Sequence, residues 1–321
     1  MNILVTGSSG FIGFHTINKL SKYKKYKIYG IDNQNDYYDV NLKKGREKIL
    51  KNLQNYSFRK LDITNFKLLN NFFKKKNIHT VIHLAAQAGV RDSVKYPDKY
   101  FNNNIIGFYN IIQLSKKYNI KHLLFASTSS VYGGKETFPL KESIATDQPL
   151  SFYAASKICN ETIAHSYSNI FKLPCTGLRF FTVYGPYGRP DMALYKFALA
   201  IKNKKKLKLY NNGNHIRDFT YIDDITSYIC ELIKKPSTKK IPYNVFNIGS
   251  NKPETLKNFI KIIEKNLKIK AKTINLQMQK GDIYKTHADN TKIKKYIKKS
   301  INTTLENGIK NFINWFNQYH K

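Results

Sequence analysis

The stretch Val5-Thr6-Gly7-Ser8-Ser9-Gly10-Phe11-Ile12-Gly13 follows a short apolar run, Asn2–Val5, and opens an amphipathic one, Phe11–Ser21. Its glycines have GxxGxxG spacing at a strand–turn–helix junction. Gly7 suits the tight turn, Gly10 admits a diphosphate close to the backbone, and Gly13 lets helix and strand pack closely. A helix N-terminus adds free N–H groups and a positive dipole end. The stretch is read as a dinucleotide-binding loop; the competing reading is a glycine-rich turn with no ligand. Asp32 ends the next strand-like run, where a carboxylate can accept hydrogen bonds from ribose hydroxyls and would repel a 2′-phosphate. Asn33 and Gln34 follow it, and no arginine does. NAD is therefore expected over NADP.

Outward from this loop, short apolar runs alternate with longer amphipathic ones. Strands are expected at Asn2–Val5, Lys27–Ile31, Phe58–Leu61, Thr80–Leu84, His122–Ala126 and Thr176–Phe180, and helices at Phe11–Ser21, Phe66–Lys76, Pro97–Tyr118 and Phe152–Phe171. The alternation predicts an α/β fold, a doubly wound parallel Rossmann sheet with a smaller C-terminal substrate lobe. A helical insertion is expected within Asp36–Tyr56. Past Thr182 the pattern is irregular: Tyr184–Asp191 is rich in Gly and Pro, and Tyr210–His215 is a polar turn. Helices are expected at Asp223–Lys234, Pro253–Asn266 and Leu305–Tyr319. The reading assigns 1–182 to an NAD-binding domain and 183–321 to a nucleotide-sugar-binding lobe. Residues 216–250 are expected to return in part to the first, through Phe219–Ile222 and Val245–Ile248.

Tyr153 and Lys157 stand four residues apart, early in a predicted helix, and so share a face. A phenol near pKa 10 is a poor base at neutral pH, but a neighbouring ammonium and a positive nicotinamide ring both favour its anion. Lowering it by about three units corresponds to roughly 4 kcal/mol, an ordinary demand on a preorganised site. YxxxK alone is weak in a chain rich in Tyr and Lys. Its weight comes from the upstream loop and from Ser127-Thr128-Ser129-Ser130-Val131-Tyr132-Gly133, a hydroxyl-rich run leaving the C-terminal end of the fifth strand, where open α/β sheets bind ligands. A Ser-rich turn that caps its own backbone is the plainer reading of that run.

Composition sets outer limits. The 321 residues are 41% apolar, enough for a packed core. No apolar run is long enough to span a membrane, and no secretory leader is expected. Cys159, Cys175 and Cys230 form no CxxC pair, so a reduced cytoplasm is expected. The eight histidines and three cysteines show no metal-ligand spacing. Lys and Arg number 55 against 21 acids, a net charge of +34. That balance has two readings, a nucleic-acid surface or compositional drift. The lysines are scattered in pairs and triples, which favours drift, with some attraction for anionic substrates.

At this point the chain resembles the extended short-chain dehydrogenase/reductase family over nearly its whole length, and within it the UDP-glucuronate 4-epimerases. The matching runs are Asp32-Asn33-Gln34-Asn35-Asp36-Tyr37-Tyr38-Asp39, His83-Leu84-Ala85-Ala86-Gln87-Ala88-Gly89-Val90-Arg91, Leu178-Arg179-Phe180-Phe181-Thr182-Val183-Tyr184-Gly185-Pro186, Gly188-Arg189-Pro190-Asp191-Met192-Ala193 and Arg217-Asp218-Phe219-Thr220-Tyr221-Ile222-Asp223-Asp224. The resemblance implies NAD-dependent C4 epimerisation of a UDP-hexuronate through a transient 4-keto sugar. Tyr153 would be the base, Thr128 its hydroxyl partner and Lys157 the ribose-binding cation. It further implies cofactor contacts from Gly7, Ser9, Gly10, Phe11, Ile12, Gly13, Asp32, Asn33, Asp62, Ile63, Leu84, Ala85, Ala86 and Phe180, with Asn104 in support. A homodimer pairing the helices at Pro97–Tyr118 and Phe152–Phe171 is implied too.

A 4-keto hexuronate is a β-keto acid, so its carboxylate must be held without an acid group nearby. By resemblance Ser129, Ser130, Thr182 and Arg189 hold it, and a guanidinium with hydroxyls suits an anion. Related decarboxylases carry Glu where Ser130 stands, and dehydratases carry Asp-Glu after the Thr. Arg189 has a second reading, a diphosphate contact. Arg217 is expected at the UDP diphosphate or ribose, Tyr210 and Asn211 at the uracil, Asp282 at the ribose and Arg91 at the substrate. The family's Pro-Gly-Asp is Lys280-Gly281-Asp282 here, which puts the Asp282 role in question. His83 reads as structural. Two other functions compete: 4-epimerisation of neutral UDP-sugars, which would not need the four-residue carboxylate set, and a non-catalytic NAD- or nucleic-acid-binding protein, in which Tyr153 or Lys157 would be dispensable.

Overall fold

Strands that are apolar on both faces build the centre of the molecule. The structure is a computed structural model describing residues 1–278 and 283–320. Its strands are β1 (Asn2–Thr6), β2 (Lys27–Asp32), β3 (Tyr56–Lys60), β4 (Thr80–His83), β5 (His122–Thr128), β6 (Cys175–Phe180), β7 (Thr182–Tyr184), β8 (Lys206–Tyr210), β9 (Ile216–Tyr221), β10 (Tyr243–Ile248), β11 (Pro253–Thr255) and β12 (Lys272–Leu276). Seven of them form one parallel sheet in the order β10-β6-β5-β4-β1-β2-β3. Every residue of β4 and β6 is buried, the signature of a parallel sheet covered by helices on both sides. The edge strand β3 instead exposes Arg59 and Lys60, charges that discourage edge pairing. This is the parallel Rossmann sheet that the alternation predicts.

The order reverses between β1 and β4, so a crevice opens above their C-terminal ends. Register pairs Thr6 with His83. Gly7 and Leu84–Ala86 therefore leave the sheet side by side.

Of the two stretches expected back in the main body, Tyr243–Ile248 enters the sheet as β10, beside β6. Phe219–Ile222 does not enter it. β9 lies between β7 and β11 in a separate three-stranded sheet, and the helix Ile222–Leu232 that follows packs on the helix Phe11–Leu20. One apolar cluster runs from Ile3, Val5 and Phe14 through Tyr184, Phe219 and Phe259 to Phe312 and Phe316, joining one face of the sheet to the C-terminal elements. A second cluster, around Leu4, Phe73, Phe108 and Phe125, covers the other face.

The expected single helix Pro97–Tyr118 is three pieces: Pro97–Tyr100, a π-helix at Phe101–Ile106, and Gly107–Lys117. The wide turn holds Asn104, fully buried. Its Oδ1 accepts the Gln87 N–H at 2.7 Å; its Nδ2 donates to Gln87 O and Ser156 Oγ, both at 3.0 Å. One amide thus ties the loop after β4 to the helix carrying Tyr153 and Lys157. π-turns recur at functional sites for this kind of local re-aiming.

Candidate active site

The glycine loop is fixed by close approach. Gly7 has φ +71°, and a Cβ there would lie 2.8 Å from Ala85 N. At Gly13 a Cβ would lie 2.1 Å from Gly7 O, so any side chain would part helix from turn. The helix Phe11–Leu20 starts at Gly10 with no side-chain cap and no acid in its first turn. Its leading N–H groups and dipole therefore face the crevice, as a diphosphate requires.

Asp32 ends β2 beside this loop. Its carboxylate accepts the Ser9 N–H at 3.1 Å and the Gln34 N–H at 2.7 Å. Burial raises its pKa, opposed by those N–H groups and by the charges of Lys43 and Arg46. Asp62 accepts from Asn33 Nδ2 at 2.8 Å, and from the Thr64 N–H at 2.8 Å and hydroxyl at 2.7 Å. Burial would raise Asp62, but these donors outweigh it and leave it low. Ile63 O accepts from Asn110 at 2.9 Å, which orders the neighbouring turn. Leu84, Ala85 and Ala86 are half-buried at the ends of β1 and β4, and Phe180 is buried at the end of β6. Asp32, Asp62 and Ala85 thus stand next to the glycine loop and its open helix end, and their donors and acceptors fit NAD. Asn104 faces protein groups and acts as a strut.

The residues expected to react, Thr128, Tyr153 and Lys157, sit on β5 and the helix Phe152–Phe171. Ser151 Oγ caps that helix, accepting the Ala154 N–H at 3.2 Å, and so sets where Tyr153 emerges. Burial holds the Tyr153 phenol above its ordinary range, while the Thr128 hydroxyl bonded to it and the charge of Arg189 pull it down. Thr128 Oγ1 also accepts the Ser130 N–H at 3.2 Å. Lys157 is 1% exposed and donates to Ala126 O at 2.9 Å. Burial lowers it to about 8, with Glu161 opposing. Arg189 thus adds a positive charge acting on Tyr153 that the helical spacing of Tyr153 and Lys157 does not reveal. His83 bonds Thr6 Oγ1 at 2.9 Å, and burial, then Lys157, hold its pKa at about 3. It is a neutral structural group.

Arg189 pairs with Asp191, donating from Nε at 3.0 Å and from Nη2, and lies over the Tyr37 ring at 5.6 Å. It lines one cavity with Thr182 and Phe11. Ser129 and Ser130 are half-buried in the turn leaving β5. Arg91 reaches over the Tyr210 ring at 5.7 Å, bringing two expected substrate residues together from separate elements. Asn211 follows at the end of β8. Arg217 bonds Tyr284 O at 2.9 Å. Asp282 lies outside the described residues. No three His, Cys, Asp or Glu side chains gather to hold a metal among the described residues, and none of their helices is long and apolar enough to cross a membrane.

The structure adds residues that sequence reasoning missed. The insertion helix Val40–Leu50 turns Lys43, Arg46 and Glu47 toward the cofactor loop. Lys43 donates to Asn35 O at 2.6 Å, and Ser9 Oγ donates to Glu47 at 3.0 Å. The i, i+3, i+4 spacing put them on one face, a signal masked by the many lysines around them. One helical turn beyond Lys157, Glu161 accepts from Ser127 Oγ at 2.5 Å and from Arg179 at 2.9 and 2.7 Å. Arg179 in turn donates to Tyr132 at 2.9 Å. Asp218 is a buried hub, accepting from Ser250, Asn251 and Ala288 backbone N–H groups at 2.7, 3.0 and 3.0 Å.

A glycine loop at the switch point of a parallel sheet, with a Tyr–Lys pair beside it, defines a dinucleotide-dependent enzyme of the extended short-chain dehydrogenase/reductase class. The model of the NAD dependent epimerase/dehydratase family matches residues 3–249, and the chain belongs to that family. It is 44% identical to Protein CapI of Staphylococcus aureus, with all of both chains covered. It is 41% identical to UDP-glucuronate 4-epimerase of Thermodesulfobacterium geofontis, over 97% of this chain and 95% of the other. Its fold superposes on UDP-glucuronic acid 4-epimerase of Bacillus cereus, solved with UDP-glucuronic acid and NAD, with a TM-score of 0.93 and 33% identity over 99% and 100% of the two chains.

Proposed function

We propose that this enzyme interconverts UDP-glucuronate and UDP-galacturonate by NAD-dependent epimerisation at C4. The observation that carries the reading is the place of Arg189. Its charge acts on Tyr153, which puts it within electrostatic reach of the sugar that Tyr153 serves. With Nε and Nη2 on Asp191, its guanidinium would meet a sugar carboxylate through its remaining N–H groups, and it offers that carboxylate no proton. Positions 129 and 130 are serines, so no acid side chain follows Thr128 to promote CO2 loss or elimination.

Bound NAD supplies the hydride acceptor for C4 and the hydride donor for its return to the opposite face. The chain's own groups handle the proton. Tyr153 Oη takes it from O4 and gives it back, and Thr128 Oγ1 holds the phenol in place. Lys157 is set against the β5 carbonyl, ready for the ribose. Arg189, with the hydroxyls of Ser129, Ser130 and Thr182, holds the carboxylate while the 4-keto sugar turns. Arg91, Tyr210, Asn211, Arg217 and Asp282 are assigned to the UDP portion and its rim. In this reading 1–182 holds the cofactor and 183–321 the nucleotide sugar, with 216–250 shared.

The reading extends to a homodimer. Phe101, Ile106, Tyr109, Phe152, Ile170 and Phe171 leave apolar surface exposed on the helical segments expected to pair. The three cysteines are free thiols, as in a reducing compartment. A cytoplasmic role supplying UDP-galacturonate for polysaccharide synthesis fits, with no nucleic-acid or membrane partner. The test is incubation of the purified protein with UDP-glucuronate and UDP-glucose separately. The C4 epimer from UDP-glucuronate is expected. Turnover of UDP-glucose alone would make it a neutral-sugar enzyme. Turnover of neither, with a DNA gel shift at physiological salt, would overturn the reading.

A further inference from the structure

Tyr187 stands two residues before Arg189 and has φ +56°. That left-handed conformation is uncommon for a bulky residue and persists only where its surroundings enforce it. Here both flanking carbonyls are held by the cofactor half of the molecule. His15, on the helix that opens at the glycine loop, approaches Pro186 O with Nε2 at 2.8 Å. A carbonyl only accepts, so Nε2 carries the proton. Arg46 Nη2 donates to Tyr187 O at 2.6 Å. The same guanidinium donates through Nη1 to Ser9 O of the glycine loop at 3.0 Å and to the Tyr38 hydroxyl at 2.6 Å. Arg46 is fully buried. The Tyr187 ring is wedged against Phe14 and Trp315, with ring centres 4.9 and 5.0 Å apart. Beyond it, the Met192 N–H donates to Arg189 O at 3.1 Å and continues the same turn.

From this we infer that Arg46 is a positioning residue for carboxylate recognition. One planar guanidinium clamps the dinucleotide loop at Ser9 to the Tyr187 turn that presents Arg189. The turn that carries Arg189, and Asp191 which holds its guanidinium, therefore keep their place at the sugar only while the glycine loop keeps its shape. The inference rests on the uronate reading above and deepens it, giving the insertion 36–56 a task. Lysine cannot replace Arg46, because a single ammonium on a flexible stem does not reproduce a fork reaching two carbonyls on different loops.

The test compares the affinity of NAD-loaded protein for UDP-glucuronate and for UDP by calorimetry. The variants are Arg46→Lys, Arg46→Met, Arg189→Ala and the Arg46→Lys/Arg189→Ala double variant, with thermal unfolding followed alongside. Both Arg46 variants are expected to bind UDP-glucuronate about 10-fold more weakly and UDP unchanged. In the Arg189→Ala background, Arg46→Lys is expected to add nothing, since its effect runs through Arg189. If Arg46→Met does not fold, His15→Ala removes the second anchor and is expected to shift the same preference. Equal loss for UDP and UDP-glucuronate, unaltered binding by Arg46→Lys, or full additivity in the double variant would overturn the clamp. If Arg189→Ala itself binds UDP-glucuronate like the wild type, the uronate reading fails, and the clamp with it.

Discussion

The proposed mechanism asks Tyr153 to lose a proton near neutral pH although burial opposes its anion. Two groups within the chain offset that burial, the Thr128 hydroxyl and the Arg189 charge. Tyr153→Phe removes the base and leaves the ring. It should keep NAD bound and lower kcat by about 100-fold or more; more than a tenth of wild-type turnover would count against the assignment. Arg189→Ala removes the cation proposed to hold the sugar carboxylate. It should cost about 2–3 kcal/mol, roughly 30- to 150-fold in kcat/KM for UDP-glucuronate, and far less for UDP-glucose. Lys157 is proposed to act as a cation, and burial brings it down to about 8 against the field of Glu161. Activity that needs charged Lys157 is present below its folded pKa and lost as pH rises through it. Removing the Glu161 carboxylate lowers that pKa further. Glu161→Gln should therefore move the alkaline limb of kcat/KM to lower pH, seen in a full pH profile. An unmoved limb would separate Glu161 from Lys157.

At the scale of the element, helix starts and sheet ends position these groups. Ser151 caps the helix whose second residue is Tyr153. Ser151→Ala should lose about 1 kcal/mol of stability, read by denaturant titration, and loosen the first turn where Tyr153 sits. The parallel strands, the glycine loop and the Tyr–Lys pair were legible because each has a local signature: apolar runs buried on both faces, glycines at fixed offsets, a four-residue helical spacing. The lobe was less so. β8 reads Lys-Leu-Lys-Leu-Tyr, and its two-residue period is hidden among abundant lysines. β12 exposes four of its five residues and carries almost no burial pattern. The π-turn at Phe101–Ile106 was invisible because the periodicity of Pro97–Tyr118 does not record where a helix widens. Arg46 was missed for another reason: its partners Ser9 and Tyr187 lie 37 and 141 residues away, and both accept through backbone oxygens that leave no trace in side-chain identity.

Across the whole molecule, buried neutral histidines make stability depend on pH. Burial lowers His15, His83 and His122 to about 4, 3 and 4. In the unfolded chain each titrates near 6.5. Above that value neither state binds the proton. As pH falls from 6.5 toward 4, only the unfolded chain takes it up, and stability is lost at about 1.4 kcal/mol per pH unit for each group. Asp32, Glu47 and Asp224, raised by burial, bind protons first in the folded state and soften the lower end of this loss. The thermal midpoint should be lower at pH 5 than at pH 7, and His122→Gln should narrow the difference. A flat profile would contradict the neutral assignment.

The central claim is that hydrogen removed from C4 stays within the enzyme and returns to the other face of a sugar that keeps its carboxylate. Incubating the protein with UDP-glucuronate in D2O and reading the product by NMR tests it directly. The account predicts UDP-galacturonate with protium at C4. Deuterium at C4, a UDP-pentose formed with loss of CO2, or no product at all would contradict it.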